Sequence, residues 1–138
     1  MRRMLPIGVL ALVLACQAGP DTRPPLTPLP DTGEAPTYKI LLDRARNLAG
    51  TATDAFYADN WVRLEEVALR LEHTATFLPK AKDAPDKQKD ALTTLGGDLV
   101  KLSRQLKDAA TGKDVEKTNE VMKQINLKVR ELRPGDGT

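Results

Sequence analysis

The sequence contains few of the residues from which reactive sites are usually built. It has one cysteine and one histidine among 138 residues. A single cysteine excludes an intrachain disulfide, a zinc site built on cysteines and haem attachment through Cys-x-x-Cys-His. The sequence also has no Gly-rich phosphate loop, Gly-x-Ser-x-Gly elbow or His-Glu-x-x-His motif. These absences predict a protein that is not an enzyme and has no cofactor.

The chain also lacks an excess of charge of either sign. Its formal net charge is +2, and removing Arg2 and Arg3 from the 21 basic residues leaves 19 against 19 acidic ones. Both arginines belong to a segment that we expect to be cleaved off. Binding of nucleic acid or of an anionic lipid surface depends on an excess of basic side chains. We therefore expect neither from the overall composition.

Residues 1–15 have the three parts of a bacterial export signal. Arg2 and Arg3 stand at the start, an apolar run from Leu5 to Leu14 follows, and Ala15 is the small residue before the cut. A spanning helix needs about 20 apolar residues, so this run is too short to remain as a transmembrane anchor. The pattern predicts an exported protein.

The end of this segment, Val13-Leu14-Ala15-Cys16, resembles the bacterial lipobox. The resemblance implies that Cys16 carries diacylglycerol on its thiol and becomes the acylated N-terminus, which is enough lipid for stable anchoring. Gln17 stands where aspartate would imply retention at the inner membrane, so the resemblance favours the periplasmic face of the outer membrane. The alternative is a plain secretory leader with an incidental cysteine.

A proline-rich segment separates Cys16 from the rest of the chain. Between Gln17 and Pro36 it contains six prolines and few large apolar residues, so it cannot bury enough surface to fold. Proline favours an extended helix of ~3.1 Å per residue, which gives this stretch a reach of up to about 60 Å. We interpret residues 16–36 as the lipidated cysteine and a linker; the alternative is a proline-rich ligand for an aromatic groove.

After Pro36 the apolar residues recur at steps of three and four, the spacing of one face of a helix. Four stretches show it, each with a single apolar seam. The seam residues are Leu41, Ala45, Leu48, Ala52 and Ala55 in the first stretch; Trp61, Leu64, Ala68, Leu71, Ala75 and Leu78 in the second; Leu92, Leu95, Leu99, Leu102, Leu106 and Ala109 in the third; and Val115, Thr118, Met122, Ile125, Val129 and Leu132 in the fourth.

The breaks between the stretches contain residues typical of helix ends. The predicted caps and stops are Asp59 or Asn60 and then Pro79 for the second helix, Asp83 with Pro85 for the third, Gly112 with Asp114 between the third and the fourth, and Pro134 with Gly135 after the last. Short connections make consecutive helices antiparallel neighbours. The sequence thus predicts an all-α domain over residues 37–133, an antiparallel up-down four-helix bundle, followed by a tail over 134–138.

Two features of the predicted helices allow more than one interpretation. Gly96 and Gly97 lie inside the third helix, off the core line, where they indicate either a tolerated bend or the close approach of a ligand or partner. The small seam residues Ala45, Ala52 and Ala68 fit either a tight core or an unfilled interior.

Two side chains are weak candidates for binding a metal or cofactor. His73 falls between seam residues Leu71 and Ala75, close to the outermost point of its helix, where a surface histidine is expected. A metal site would combine it with carboxylates such as Glu72. Met122 points inward, where methionine usually fills a core, although it is also the residue closest to a ligand in the bundle interior.

Residues 40–133 distantly resemble the four-helix cytochromes of the c-prime type. The run Ala58-Asp59-Asn60-Trp61 before the second seam carries the resemblance, as does the final helix pair ending at Arg133. If Arg133 matches the arginine that follows the haem histidine in that family, the two cysteine places are Ile125 and Lys128 and the histidine place is Val129. Every haem-attaching residue is therefore replaced.

The leading functional hypothesis from the sequence is a membrane-tethered, non-enzymatic helical module that binds a protein partner or assists assembly in the cell envelope. The main alternative is a carrier of a small ligand or of non-covalent haem, built on a c-prime-like fold with Met122 nearest the interior.

Overall fold

Four α-helices make up most of the part of the chain that the structure describes. The computed structural model describes Leu29 and residues 33–132. Within that part the helices are α1 (Tyr38–Tyr57), α2 (Trp61–Phe77), α3 (Lys89–Thr111) and α4 (Val115–Glu131), with short 3-10 turns at Leu78–Lys80 and Asp86–Gln88 and no β-strand. The prediction of an all-α fold with four helices is confirmed for these residues.

The turn between α1 and α2 is a Schellman motif. Asp59 has a φ of +55°, its N–H donates to the Phe56 carbonyl over 3.1 Å, and the Asn60 N–H donates to the Ala55 carbonyl over 2.9 Å. The Asn60 side chain then accepts the Arg63 N–H at 3.0 Å. Asn60, and not Asp59, is therefore the N-cap of α2.

The turn between α3 and α4 repeats this arrangement. Gly112 ends α3 with an ordinary negative φ, and Lys113 carries the positive φ of +50°. The Asp114 N–H donates to the Ala109 carbonyl over 2.9 Å, and the Asp114 carboxylate accepts the Lys117 N–H at 3.0 Å. The predicted break is confirmed, but the left-handed residue is a lysine, which tolerates that conformation less well than the glycine before it.

The connection between α2 and α3 differs from the prediction. α3 begins at Lys89 without a side-chain cap, so the assignment of Asp83 as its N-cap is wrong. The Asp83 Oδ1 atom instead accepts the Tyr38 N–H over 2.8 Å, which satisfies a free donor in the first turn of α1. Tertiary packing brings these residues together across 45 positions, a pairing that local cap patterns cannot reveal.

The apolar seams form a continuous core. Every predicted seam residue is buried except Trp61, which is half-buried, and Val115, which is 60% exposed. Both are the first residue of their helix, but Trp61 still packs against the core. The assignment of Val115 to the seam is therefore wrong, whereas Trp61 lies at the edge of the core.

Buried residues also flank the seams and widen the apolar face of each helix. Examples are Leu42, Ala49, Val67, Ala110 and Val121. The wider stripe follows from the packing, because α1 contacts α2 and α4, and α3 contacts α2 and α4. A helix with two neighbours needs a broader apolar face than the narrow seam of a coiled coil. Among these interfaces, that between α2 and α3 is the most extensive and that between α1 and α4 the sparsest.

Gly96 lies inside the α2–α3 interface, so the prediction that it lies off the core line is wrong. It is buried, and a Cβ atom added to it would lie 3.0 Å from the Ala75 carbonyl oxygen and 3.1 Å from Cδ of Pro79. Gly97 is exposed, with nothing within 4 Å of its Cβ position. Gly96 therefore permits the close approach of α3 to the end of α2, whereas Gly97 has no such role.

A pair of linked hydrogen bonds through the buried Thr74 hydroxyl joins α1 to α2. The Arg44 Nε donates to the Thr74 hydroxyl over 3.2 Å, and that hydroxyl donates to the Arg70 carbonyl over 2.8 Å. Burial lowers the pKa of the Arg44 guanidinium, and the positive charge of Arg70 lowers it further. These hydrogen bonds offset the desolvation of the groups that they join.

Candidate functional site

The predicted lipidation site lies outside the described residues. Cys16 and the lipobox residues Val13, Leu14 and Ala15 all precede Leu29, so their assignment remains a prediction. No helix among the described residues combines the length and the apolar character needed to cross a bilayer.

His73 lies on α2 and is half-buried, which corrects its placement near the outermost point of the helix. Its ring packs edge-to-face on Phe77 with centroids 5.2 Å apart. The neighbouring carboxylate of Glu72 accepts the Arg104 Nε at 2.7 Å. Residues 33–132 bring together no group of three or more metal-binding side chains, and the contact that the structure gives His73 here is the aromatic one with Phe77.

Met122 is 6% exposed and belongs to the buried core cluster. The three residues at the haem-attachment places of the c-prime resemblance differ in burial and in the contacts they make. Ile125 and Val129 are buried beside it in the same cluster, while the Lys128 ammonium forms an ion pair with Asp98 at 3.1 Å. Met122, Ile125 and Val129 therefore fill the core, and Lys128 contributes an ion pair.

An apolar surface lies at the α1–α2 turn, and we call Phe56, Tyr57, Trp61 and Val62 the aromatic turn. Tyr57 is 81% exposed and Val62 is 70% exposed. Phe56 contacts the rings of both Tyr57 and Trp61, with centroids 5.7 and 6.0 Å apart. The Trp61 indole N–H donates to Asp59 over 2.6 Å, so that ring is held in one orientation.

Sequence reasoning did not identify the aromatic turn, because it considered Trp61 only as a seam residue, and Trp61 does pack against the core with one side exposed. One signal was present in the composition. The chain has only two Phe, two Tyr and one Trp, and three of those five aromatics fall within residues 56–61. Phe56 and Tyr57 follow Ala55, the last seam residue of α1. Aromatic residues that continue beyond the seam at a helix end indicate a surface feature.

A second surface feature is a cleft between α1 and α4, which we call the arginine cleft. Its lining residues are Arg46, Ala49, Asn126, Val129 and Arg130, and its volume is about 360 Å³. An Arg46 Nη2 atom donates to the carbonyl of Leu132 over 3.3 Å, which fixes that guanidinium at one end of the cleft. The two cationic residues come from positions 84 apart in the chain, so no sequence motif reveals this cleft.

No protein-family model, curated protein sequence or solved structure matches this chain. The aromatic turn offers a ligand exposed apolar area, and the arginine cleft offers two guanidinium groups.

Proposed function

We propose that this protein is a lipid-anchored lipoprotein of the bacterial cell envelope whose helical domain binds a partner protein and catalyses no reaction. The observation that carries the anchoring is Val13-Leu14-Ala15-Cys16, with the only cysteine of the chain in register with an apolar run. The side of attachment that Gln17 favours is the periplasmic face of the outer membrane.

The proposal assigns the domain an up-down antiparallel arrangement. It is supported by the short α1–α2 and α3–α4 turns and by the contacts of α1 with both α2 and α4. The linker enters at Tyr38, and α1 then runs for 20 residues, which is about 30 Å. The aromatic turn accordingly lies about 30 Å from Tyr38, at the opposite end of α1.

We assign partner binding to the aromatic turn, and the partner to an envelope protein that presents an apolar patch. Tyr and Trp are the residues most often responsible for binding energy at protein interfaces. The Schellman motif and the Trp61–Asp59 hydrogen bond hold this surface in a defined shape, which lowers the entropic cost of binding. Tyr57 and Val62 supply the exposed apolar area that a partner would cover.

The test is photo-crosslinking in intact cells. The photoreactive amino acid p-benzoylphenylalanine replaces Tyr57 in one version of the full chain and Gln105, an exposed residue of α3, in another. We expect a discrete protein adduct from position 57 only. Val62→Ser should lower its yield about tenfold, because burial of a valine side chain at an interface contributes about 1.5 kcal/mol or more.

The same experiment tests the contribution of the anchor. Cys16→Ser removes the thiol that would carry the lipid, so the domain should leave the membrane and the adduct from position 57 should fall. Adducts of equal yield from positions 57 and 105, or an adduct from position 57 that Val62→Ser leaves unchanged, would refute binding through the aromatic turn. Full retention of Cys16→Ser protein in the membrane fraction would refute the anchor.

A further inference from the structure

The arginine cleft brings two cationic side chains onto one surface. Asp43 and Asp83 line a second cleft that also includes Arg46, and Asp83 accepts the Tyr38 N–H. The nearest acidic residue on α1, Asp43, accepts the Lys39 ammonium at 2.8 Å. On α4 the Glu131 carboxylate lies 3.8 Å from the Lys128 ammonium. Within the described part of the chain, Arg130 forms no ion pair, and the Arg46 guanidinium bonds only a carbonyl.

Two guanidinium groups that line one cleft both attract an anion placed between them. Each presents its N–H donors in a planar fork suited to the oxygens of phosphate or carboxylate. The C-terminal end of α4, to which Arg130 belongs, contributes about half a negative charge. This partial negative charge is smaller than the two full positive charges of Arg46 and Arg130. At this helix end Arg46 already donates to the Leu132 carbonyl.

We propose that the arginine cleft binds a phosphate group between Arg46 and Arg130. A phosphate monoester carries close to two negative charges at neutral pH and so matches two guanidinium groups, whereas a single carboxylate matches one. The apolar side chains of Ala49 and Val129 line the same cleft and would contact the carbon skeleton attached to the phosphate. The size of the cleft, about 360 Å³, falls within the range of small-ligand sites.

This site is independent of the aromatic turn, since it lies between α1 and α4 and uses none of the same residues. The phosphate could come from a free small molecule or from a lipid headgroup. Both sources present the same chemistry to the cleft, and the two arms of the experiment separate them.

The experiment uses the full chain with Cys16→Ser in every sample, so that acylation cannot differ between variants. The first arm measures the melting temperature in rising inorganic phosphate, with ionic strength held constant by chloride. The second measures sedimentation with vesicles that contain a phosphomonoester lipid, phosphatidic acid, and with neutral phosphatidylcholine vesicles. The variants are Arg130→Gln and the control Arg104→Gln, an exposed arginine bonded to Glu72 on another face.

We expect phosphate to raise the melting temperature, or phosphatidic acid vesicles to sediment more protein than neutral ones. Arg130→Gln should weaken the response about tenfold, the usual effect of losing one hydrogen-bonded charge partner, while Arg104→Gln leaves it unchanged. A response to phosphate identifies a free ligand, and a response to vesicles alone identifies a headgroup. No response in either arm, or equal losses in both variants, would overturn the proposal. Circular dichroism confirms that both variants are folded.

Discussion

The adjacent glycines of α3 give a sharp test of the α2–α3 packing. Gly96→Ala and Gly97→Ala make the same chemical change one residue apart in the same helix. At Gly97 the new methyl group meets nothing within 4 Å, so only the higher helix propensity of alanine acts. At Gly96 the methyl group would lie 3.0 Å from the Ala75 carbonyl oxygen, which belongs to the backbone of α2 and cannot move by a side-chain rotation.

These contacts set the expected magnitudes. Alanine in place of glycine stabilises a helix interior by about 1 kcal/mol, which is the whole effect expected for Gly97→Ala. Forcing a methyl group into a filled interface costs about 1–3 kcal/mol. For Gly96→Ala the two effects combine to a net loss of about 0–2 kcal/mol. The free energies of unfolding of the two variants should therefore differ by about 1–3 kcal/mol.

The measurement is thermal unfolding followed by far-ultraviolet circular dichroism, with both variants and the parent chain under identical conditions. In a domain of about 100 residues, each kcal/mol shifts the melting temperature by about 4–8 °C. Gly97→Ala should melt above the parent chain and Gly96→Ala at or below it. If Gly96→Ala is stabilised as much as Gly97→Ala, then α2 and α3 do not approach each other closely at this point.

Two further substitutions test other parts of the fold. Lys113→Gly should stabilise the chain by about 1 kcal/mol, because it relieves a positive φ in a residue with a side chain; an unchanged urea midpoint would contradict that left-handed turn. Thr118→Val should stabilise by about 1–2 kcal/mol, because the buried Thr118 hydroxyl has no hydrogen-bond partner among the described residues. Thr74→Val is its matched control and should destabilise, because the Thr74 hydroxyl is hydrogen-bonded; a stabilised Thr74→Val would contradict that assignment.

The helices and most of the core could be predicted from the sequence because both follow from local spacing. A step of three or four residues places side chains on one helix face in any context, and the caps at Asn60 and Asp114 act within three residues of their own position. The errors at Asp83 and Gly96 have one cause. Each residue serves a neighbour distant in the chain, α1 for Asp83 and the end of α2 for Gly96.

The candidate sites also differ in whether they depend on local sequence or on contacts between residues distant in the chain. The predicted lipobox at Cys16 is a short continuous motif, which a single sequence can reveal. The aromatic turn required knowledge of where α2 begins, since Trp61 fits the seam spacing but lies in its first turn. The arginine cleft required the pairing of α1 with α4, which brings Arg46 and Arg130 onto one surface.

The most direct test of the proposed function is the intact mass of the protein purified from bacterial membranes. A lipoprotein processed at the lipobox should have the mass of a chain that begins at Cys16, increased by one diacylglycerol and one further acyl group, and Cys16→Ser should yield no acylated species. A membrane-purified chain that begins elsewhere, or that begins at Cys16 without added lipid, would contradict the anchor on which the proposed function depends.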